Sequence, residues 1–218
     1  MRTFGIFCFA AALALNVHAE VVYDNTAHGN TPGQSTPIDA GPLYDSFSTG
    51  ALSEALTGLD LVLDSTTGGT DPFDVLLYSD DTNLLDYPST GHGPGSLVAT
   101  LANAFTVTLP AGVSTQAVTL SSNPILAANT RYWIALVSDP STIAGWEFAD
   151  DAGGTGTAGE FWAFGNPGSA SVTQNSDALT PFEMRVTMGV PEPATFFTLF
   201  GVMALLALVS FRRRQVQE

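Results

Sequence analysis

Between Glu20 and Gly189 the apolar residues recur at every second position in short runs. In "GLDLVLDS", Leu59, Leu61 and Leu63 fall on one face and Asp60, Val62 and Asp64 on the other. "FDVLLYS" follows a "TTGGTDP" turn, and "FTVTLP" alternates Phe105, Val107 and Leu109 with threonines. "STQAVTLSS" is similar, and "FEMRVTM" alternates strictly, with Phe182, Met184, Val186 and Met188 inward and Glu183, Arg185 and Thr187 outward. A period of two is the signature of a half-buried strand. "RYWIALVS" is nearly continuous and aromatic, which predicts a central strand. "VVYD", "LYDSFST", "SLVATL", "GWEFAD" and "EFWAFG" complete a set of about ten or eleven short strands separated by Gly, Pro, Asn, Asp and Ser. This predicts an all-β domain over 20–189, a jelly-roll or Greek-key antiparallel β-sandwich. Trp133, Trp146, Phe148, Phe161, Trp162 and Phe164 are expected to supply its core, because each aromatic ring buries a large apolar area.

The two ends break this pattern. Residues 1–19 have an early Arg2, an apolar run from Phe4 to Leu15, and Val17-His18-Ala19 at the end. That order predicts a secretory signal peptide cut after Ala19. The one cysteine, Cys8, lies inside it, so the expected mature chain has no disulfide, thiol nucleophile or Cys metal site. At the other end, Ala194 to Phe211 is apolar or small throughout and is followed by Arg212, Arg213 and Arg214. As a helix rising about 1.5 Å per residue it just reaches across a bilayer core of about 30 Å. The arginines would hold its far end in the cytoplasm.

Charge is equally uneven. Of the 21 acidic residues all but Glu192 and Glu218 lie between Glu20 and Gly189, where the bases are Arg131, Arg185 and two histidines; lysine is absent from the chain. Such a surface repels phosphate backbones, which argues against nucleic-acid binding. It suits divalent cations. Two acidic, Gly-flanked stretches are candidate Ca²⁺ loops: "YSDDTNLLDYP" with Asp80, Asp81 and Asp86, and "FADDAGGTGTAGEF" with Asp150, Asp151 and Glu160. Neither has EF-hand spacing, and the plainer reading of each is a solvated acidic hairpin. Thr155 and Gly156 read equally well as turn residues. His28 and His92 sit in Gly/Pro-rich loops and read as isolated turn histidines. Carboxylates are too numerous for any pair to single out a glycoside hydrolase. "GWEFADD" and "GEFWAF" would suit sugar stacking if their aromatic rings were exposed.

Pro191-Glu192-Pro193, the apolar stretch 194–211 and Arg212–Arg214 together resemble the PEP-CTERM sorting signal. The resemblance implies an exported protein of a Gram-negative exopolysaccharide producer, delivered by Sec-type export. It implies recognition of residues 190–218 by an exosortase, a membrane-embedded Cys-dependent transpeptidase, and cleavage near the PEP motif. Until then the C-terminal helix holds the chain in the membrane. The trailing "QVQE" and the phenylalanines Phe196, Phe197 and Phe200 depart mildly from the pattern. More distantly, "LYSDD", "GSLVATL", "NPILAANTRYWIAL" and "GWEFADDAGGTGTAGEFWAF" resemble the choice-of-anchor R type surface domains. These readings converge on a non-catalytic cell-surface or extracellular-matrix protein. The alternatives are a carbohydrate- or calcium-binding adhesion module of an exopolysaccharide layer and a secreted hydrolase.

Overall fold

A computed structural model describes residues 19–28, 35–82, 92–138, 144–150, 153–156, 162–164, 173–175 and 181–189. The strands in chain order are β1 (Glu20–Asp24), β2 (Ser35–Pro37), β3 (Leu43–Ser48), β4 (Glu54–Ser65), β5 (Gly69–Asp81), β6 (Gly93–Leu109) and β7 (Gly112–Ala117). They continue as β8 (Ile125–Leu126), β9 (Arg131–Ser138), β10 (Ala144–Glu147), β11 (Trp162–Phe164), β12 (Thr173–Asn175) and β13 (Met184–Gly189). The described part is all-β, as the alternation predicts. "SLVATL" and "FTVTLP", read as two strands, form the single strand β6, and the additional strands are the short β2, β8 and β12, of two or three residues, too brief for a period to register.

Two antiparallel sheets pack on each other. One has six strands in the order β12-β11-β3-β9-β5-β6. The other has seven and is built around β4. One edge of β4 carries β8 at Glu54–Ala55 and β7 at Asp60–Ser65. The opposite edge carries β13 along Ala55–Leu61 and then β10 along Leu63–Ser65. β1 pairs beyond β13, and β2 beyond β10. A single apolar core draws on both sheets: Leu56, Leu59, Leu61 and Leu63 from β4 face Val75 and Leu77 of β5 and Ile134 and Leu136 of β9, all buried.

The continuous apolar run of β9 has a direct cause. β9 is hydrogen-bonded on both sides, to β3 and β5. Tyr132, Ile134 and Leu136 enter the main core, while Trp133 and Ala135 join Tyr44 in a second buried cluster on the other side of the sheet. Trp133 is therefore buried but does not belong to the inter-sheet core expected of it. Trp146 does, and Phe148 packs against that core half-buried. Phe161 lies outside the described residues, and Trp162 and Phe164 are placed only as backbone of β11.

Two turns show why the sequence punctuates where it does. Asn129, in the "AANT" turn before β9, has φ of 49°. Asparagine tolerates that left-handed conformation better than most side chains. The turn is pinned by Thr49, whose hydroxyl donates to the Ala127 carbonyl at 2.6 Å and accepts from the Thr130 amide at 2.9 Å. Gly68 lies where the chain crosses from β4 to β5, beside the return crossing from β6 to β7. Its φ is 69°, and a Cβ there would sit 3.1 Å from the Ala111 nitrogen and 3.2 Å from the Leu109 oxygen.

Among the described residues no helix is long and apolar enough to cross a membrane. Residues 1–18 of the expected signal peptide and the whole of 190–218, including Pro191, Glu192, Pro193 and Arg212–Arg214, lie outside the described residues.

Candidate functional site: a buried carboxylate pair

β10 and β13 run end to end along the same edge of β4, both antiparallel to it. Where they meet they pair with each other, also antiparallel, through a Phe148–Phe182 bridge. Two strands antiparallel to a third can do this only if both chains turn out of its plane. The crossing is closed by backbone bonds from the Glu183 amide to the Glu147 carbonyl at 2.9 Å and from the Ala149 amide to the Pro181 carbonyl at 2.8 Å. Asn25, itself buried, fastens the corner from β1. Its side-chain amide donates to the Phe182 carbonyl at 2.9 Å, and its side-chain oxygen accepts from the Met184 amide at 2.8 Å.

The bridge register fixes which side chains share a face. Phe148 and Phe182 stack at 4.6 Å between ring centroids, and Trp146 stacks on Phe182 at 4.6 Å with an interplanar angle of 8°. The Trp146 indole N–H donates to the Glu183 carbonyl at 2.9 Å. On the opposite face Glu147 and Glu183 stand directly across from each other. Directly opposed side chains in an antiparallel pair have Cβ atoms about 5 Å apart, and like charges there repel. Both glutamates are 0% exposed.

Neither side-chain oxygen of Glu183 has a hydrogen-bond partner among the described residues. Burial above all, then the negative charges of Glu147 and Asp150, push its carboxyl up to about 8. Asp150 is brought close because its amide donates to the His28 carbonyl at 2.6 Å. Arg185, two residues along the same strand, is committed elsewhere: its guanidinium holds Asp24 at 2.7 Å and Asp60 at 3.4 Å. Burial raises the Asp24 carboxyl, but hydrogen bonds from Thr26 and Arg185 outweigh it and hold the group below its usual range. A pair like Glu147–Glu183 can share a proton or hold a hard cation. At zero exposure it presents no carboxylate to a substrate in this conformation.

A second constellation sits on β5. Asp80 accepts from the Trp133 indole N–H at 2.9 Å and lies 2.6 Å from the His92 Nδ1, using both carboxylate oxygens. His92, read from the sequence as an isolated turn residue, is thus tied to a carboxylate across the β5–β6 hairpin. Tyr78 packs edge-on against Tyr44 at 5.8 Å nearby, and burial raises its hydroxyl above the ordinary tyrosine range. Asp81 is the last residue of β5, opposite Gly93, whereas Asp86 lies outside the described residues. In the other candidate loop Asp150 approaches the carboxylate pair, and Asp151 and Glu160 are outside the described residues. Thr155 bridges to Asp24, and Gly156, at φ of 119°, packs on Tyr23, so this part of the loop is held against β1. Among the described residues no three His, Cys, Asp or Glu side chains converge into a metal-holding group.

The alternation of "FEMRVTM" placed Glu183 outward, and it does face away from the inter-sheet core; its burial was not foreseen. The missed signal is the crossing itself, which turns an outward position into a covered one and sets Glu147 opposite. Trp146 is 0% exposed, which removes it as a sugar-stacking platform. A scan of the chain against protein-family models matched none, and searches of curated proteins and of solved structures found no match either.

Proposed function

We propose that this chain is an exported, non-catalytic surface or extracellular-matrix protein of a Gram-negative bacterium. In this reading the tail is bound by an exosortase through Pro191-Glu192-Pro193 and cut there, after membrane retention by 194–211 and Arg212–Arg214. The observation that carries it is how the two end signals abut the sheet. β1 starts at Glu20, directly after the expected cleavage at Ala19. β13 ends at Gly189, two residues before Pro191. Glu20 pairs with Met188, so both signals would leave from neighbouring strands at one place on the domain. The chain crosses between the sheets after β4 and again after β6, which supports a Greek-key or jelly-roll arrangement. The "L-x-A-N-T-x-Y-W" turn and strand support kinship with choice-of-anchor R type domains.

The test is C-terminal peptide mapping of the protein recovered from the cell surface. Sorting predicts that peptides beyond the PEP region are absent and that replacing Pro191-Glu192-Pro193 by alanines leaves the full-length chain in the membrane. Recovery of Arg212–Arg214 from mature surface material would refute cleavage. A second reading, a cation-dependent adhesion module, is favoured by the buried carboxylate pair.

A further inference from the structure

We propose that Glu147 and Glu183 are the carboxylate ligands of a calcium site at the β10–β13 crossing. The proposal deepens the adhesion-module reading and does not depend on the sorting signal. Three observations carry it. The crossed ladder sets the two glutamates opposite each other on one face, about 5 Å apart at Cβ. Both are fully buried, where an ionised carboxylate is very costly unless something compensates its charge. Among the described residues the Glu183 oxygens accept no hydrogen bond, so neither Arg185 nor His28 nor His92 supplies that compensation through a direct bond.

The donor chemistry selects the ion. The pair offers hard, anionic oxygens, and no cysteine lies in the domain. Calcium takes such carboxylates together with carbonyl and water oxygens in a flexible shell, whereas magnesium demands near-ideal octahedral geometry. Among the described residues no third acidic or histidine side chain completes a metal-holding group, so any further ligand they supply is a neutral oxygen. Two carboxylates place the site in the weak class of extracellular modules, with dissociation constants of about 0.1–1 mM. Asp150, which adds negative charge near Glu183, strengthens the attraction for a cation without being counted as a ligand.

The full chain in detergent at pH 8.5 is stripped with EDTA, and its melting temperature is read with and without 10 mM CaCl₂ (roughly a hundred times the tighter limit). The wild-type protein is expected to gain about 3–10 °C. Glu183→Gln, isosteric with the protonated acid and therefore able to fold, should lose most of that gain. Equilibrium dialysis with radioactive calcium should find one ion fewer on Glu183→Gln than on wild type. Equal shifts in the two proteins, or no shift in either, would overturn the proposal. So would a shift abolished by Asp80→Asn and kept in Glu183→Gln, which would assign the ion to the β5–β6 hairpin.

Discussion

Replacing Glu183 by glutamine should flatten the dependence of stability on pH in metal-free solution. The fold raises this carboxyl from 4.5 to about 8. Between those values the folded chain keeps a proton that the unfolded chain has lost, so the native state weakens as pH rises through the window. The contribution is fully present below about 4.5, and little more is lost above about 8. Each pH unit is worth about 1.4 kcal/mol, which makes the whole window about 5 kcal/mol at most. Relaxation of the protein and water entry around the newly ionised group reduce this to about 2–4 kcal/mol. Glutamine cannot ionise, so the variant should be close to wild type at pH 4.5 and more stable by about that amount at pH 8.5. Thermal unfolding in EDTA, followed by the fluorescence of the three tryptophans, reads the difference at each pH. Any fixed penalty for the glutamine amide shifts the whole curve, so the slope of the difference is the test. A difference that stays flat from pH 5 to 9, or one that turns against the variant as pH rises, would refute the argument that burial beside Glu147 and Asp150 holds Glu183 neutral.

Other substitutions probe the same architecture. Trp146→Ala removes a fully buried ring, its stacking on Phe182 and its bond to the Glu183 carbonyl, and should destabilise the domain by about 3–5 kcal/mol in denaturant titrations. Asn25→Ala leaves the Phe182 carbonyl and Met184 amide without their side-chain partners and should lose about 1–3 kcal/mol by the same assay. Gly68→Ala should lower stability by about 1–3 kcal/mol, because φ is 69° and the new methyl meets backbone at 3.1 Å. Gly50→Ala, with nothing within 4 Å of the new Cβ, should differ little from wild type in melting temperature.

The sequence revealed this fold where side chains alternate against one packed face. β13 and the inward leucines of β4 follow their period because the core contacts only one side of each. β9 was legible as central because both of its faces are covered, and that leaves no polar alternation. The carboxylate pair was not legible. Glu147 and Glu183 are remote in the chain, and their opposition follows from two strands turning out of the β4 plane at one point. No local period encodes such a crossing. The Asp80–His92 contact was hidden for a related reason: it spans the β5–β6 hairpin, whose pairing shifts register four times between Phe73 and Asp80. A histidine that looks isolated in a Gly/Pro loop is returned to the carboxylate by those shifts, which counting along the chain does not anticipate.

The pairing of β1 with β13 sets the order of events in folding. Glu20 is among the first residues of the domain to be synthesised, and Met188, its partner, is nearly the last. At about 5–20 residues per second the first strand waits on the order of ten seconds or more for the strand that completes its ladder. The central strand β4 also waits for its β13 edge, across a somewhat shorter separation. Contacts this remote in sequence make folding slow. In a chain that leaves a ribosome or a translocation channel amino end first, the β1–β13–β4 part of the seven-stranded sheet therefore cannot close until almost all of the domain has emerged.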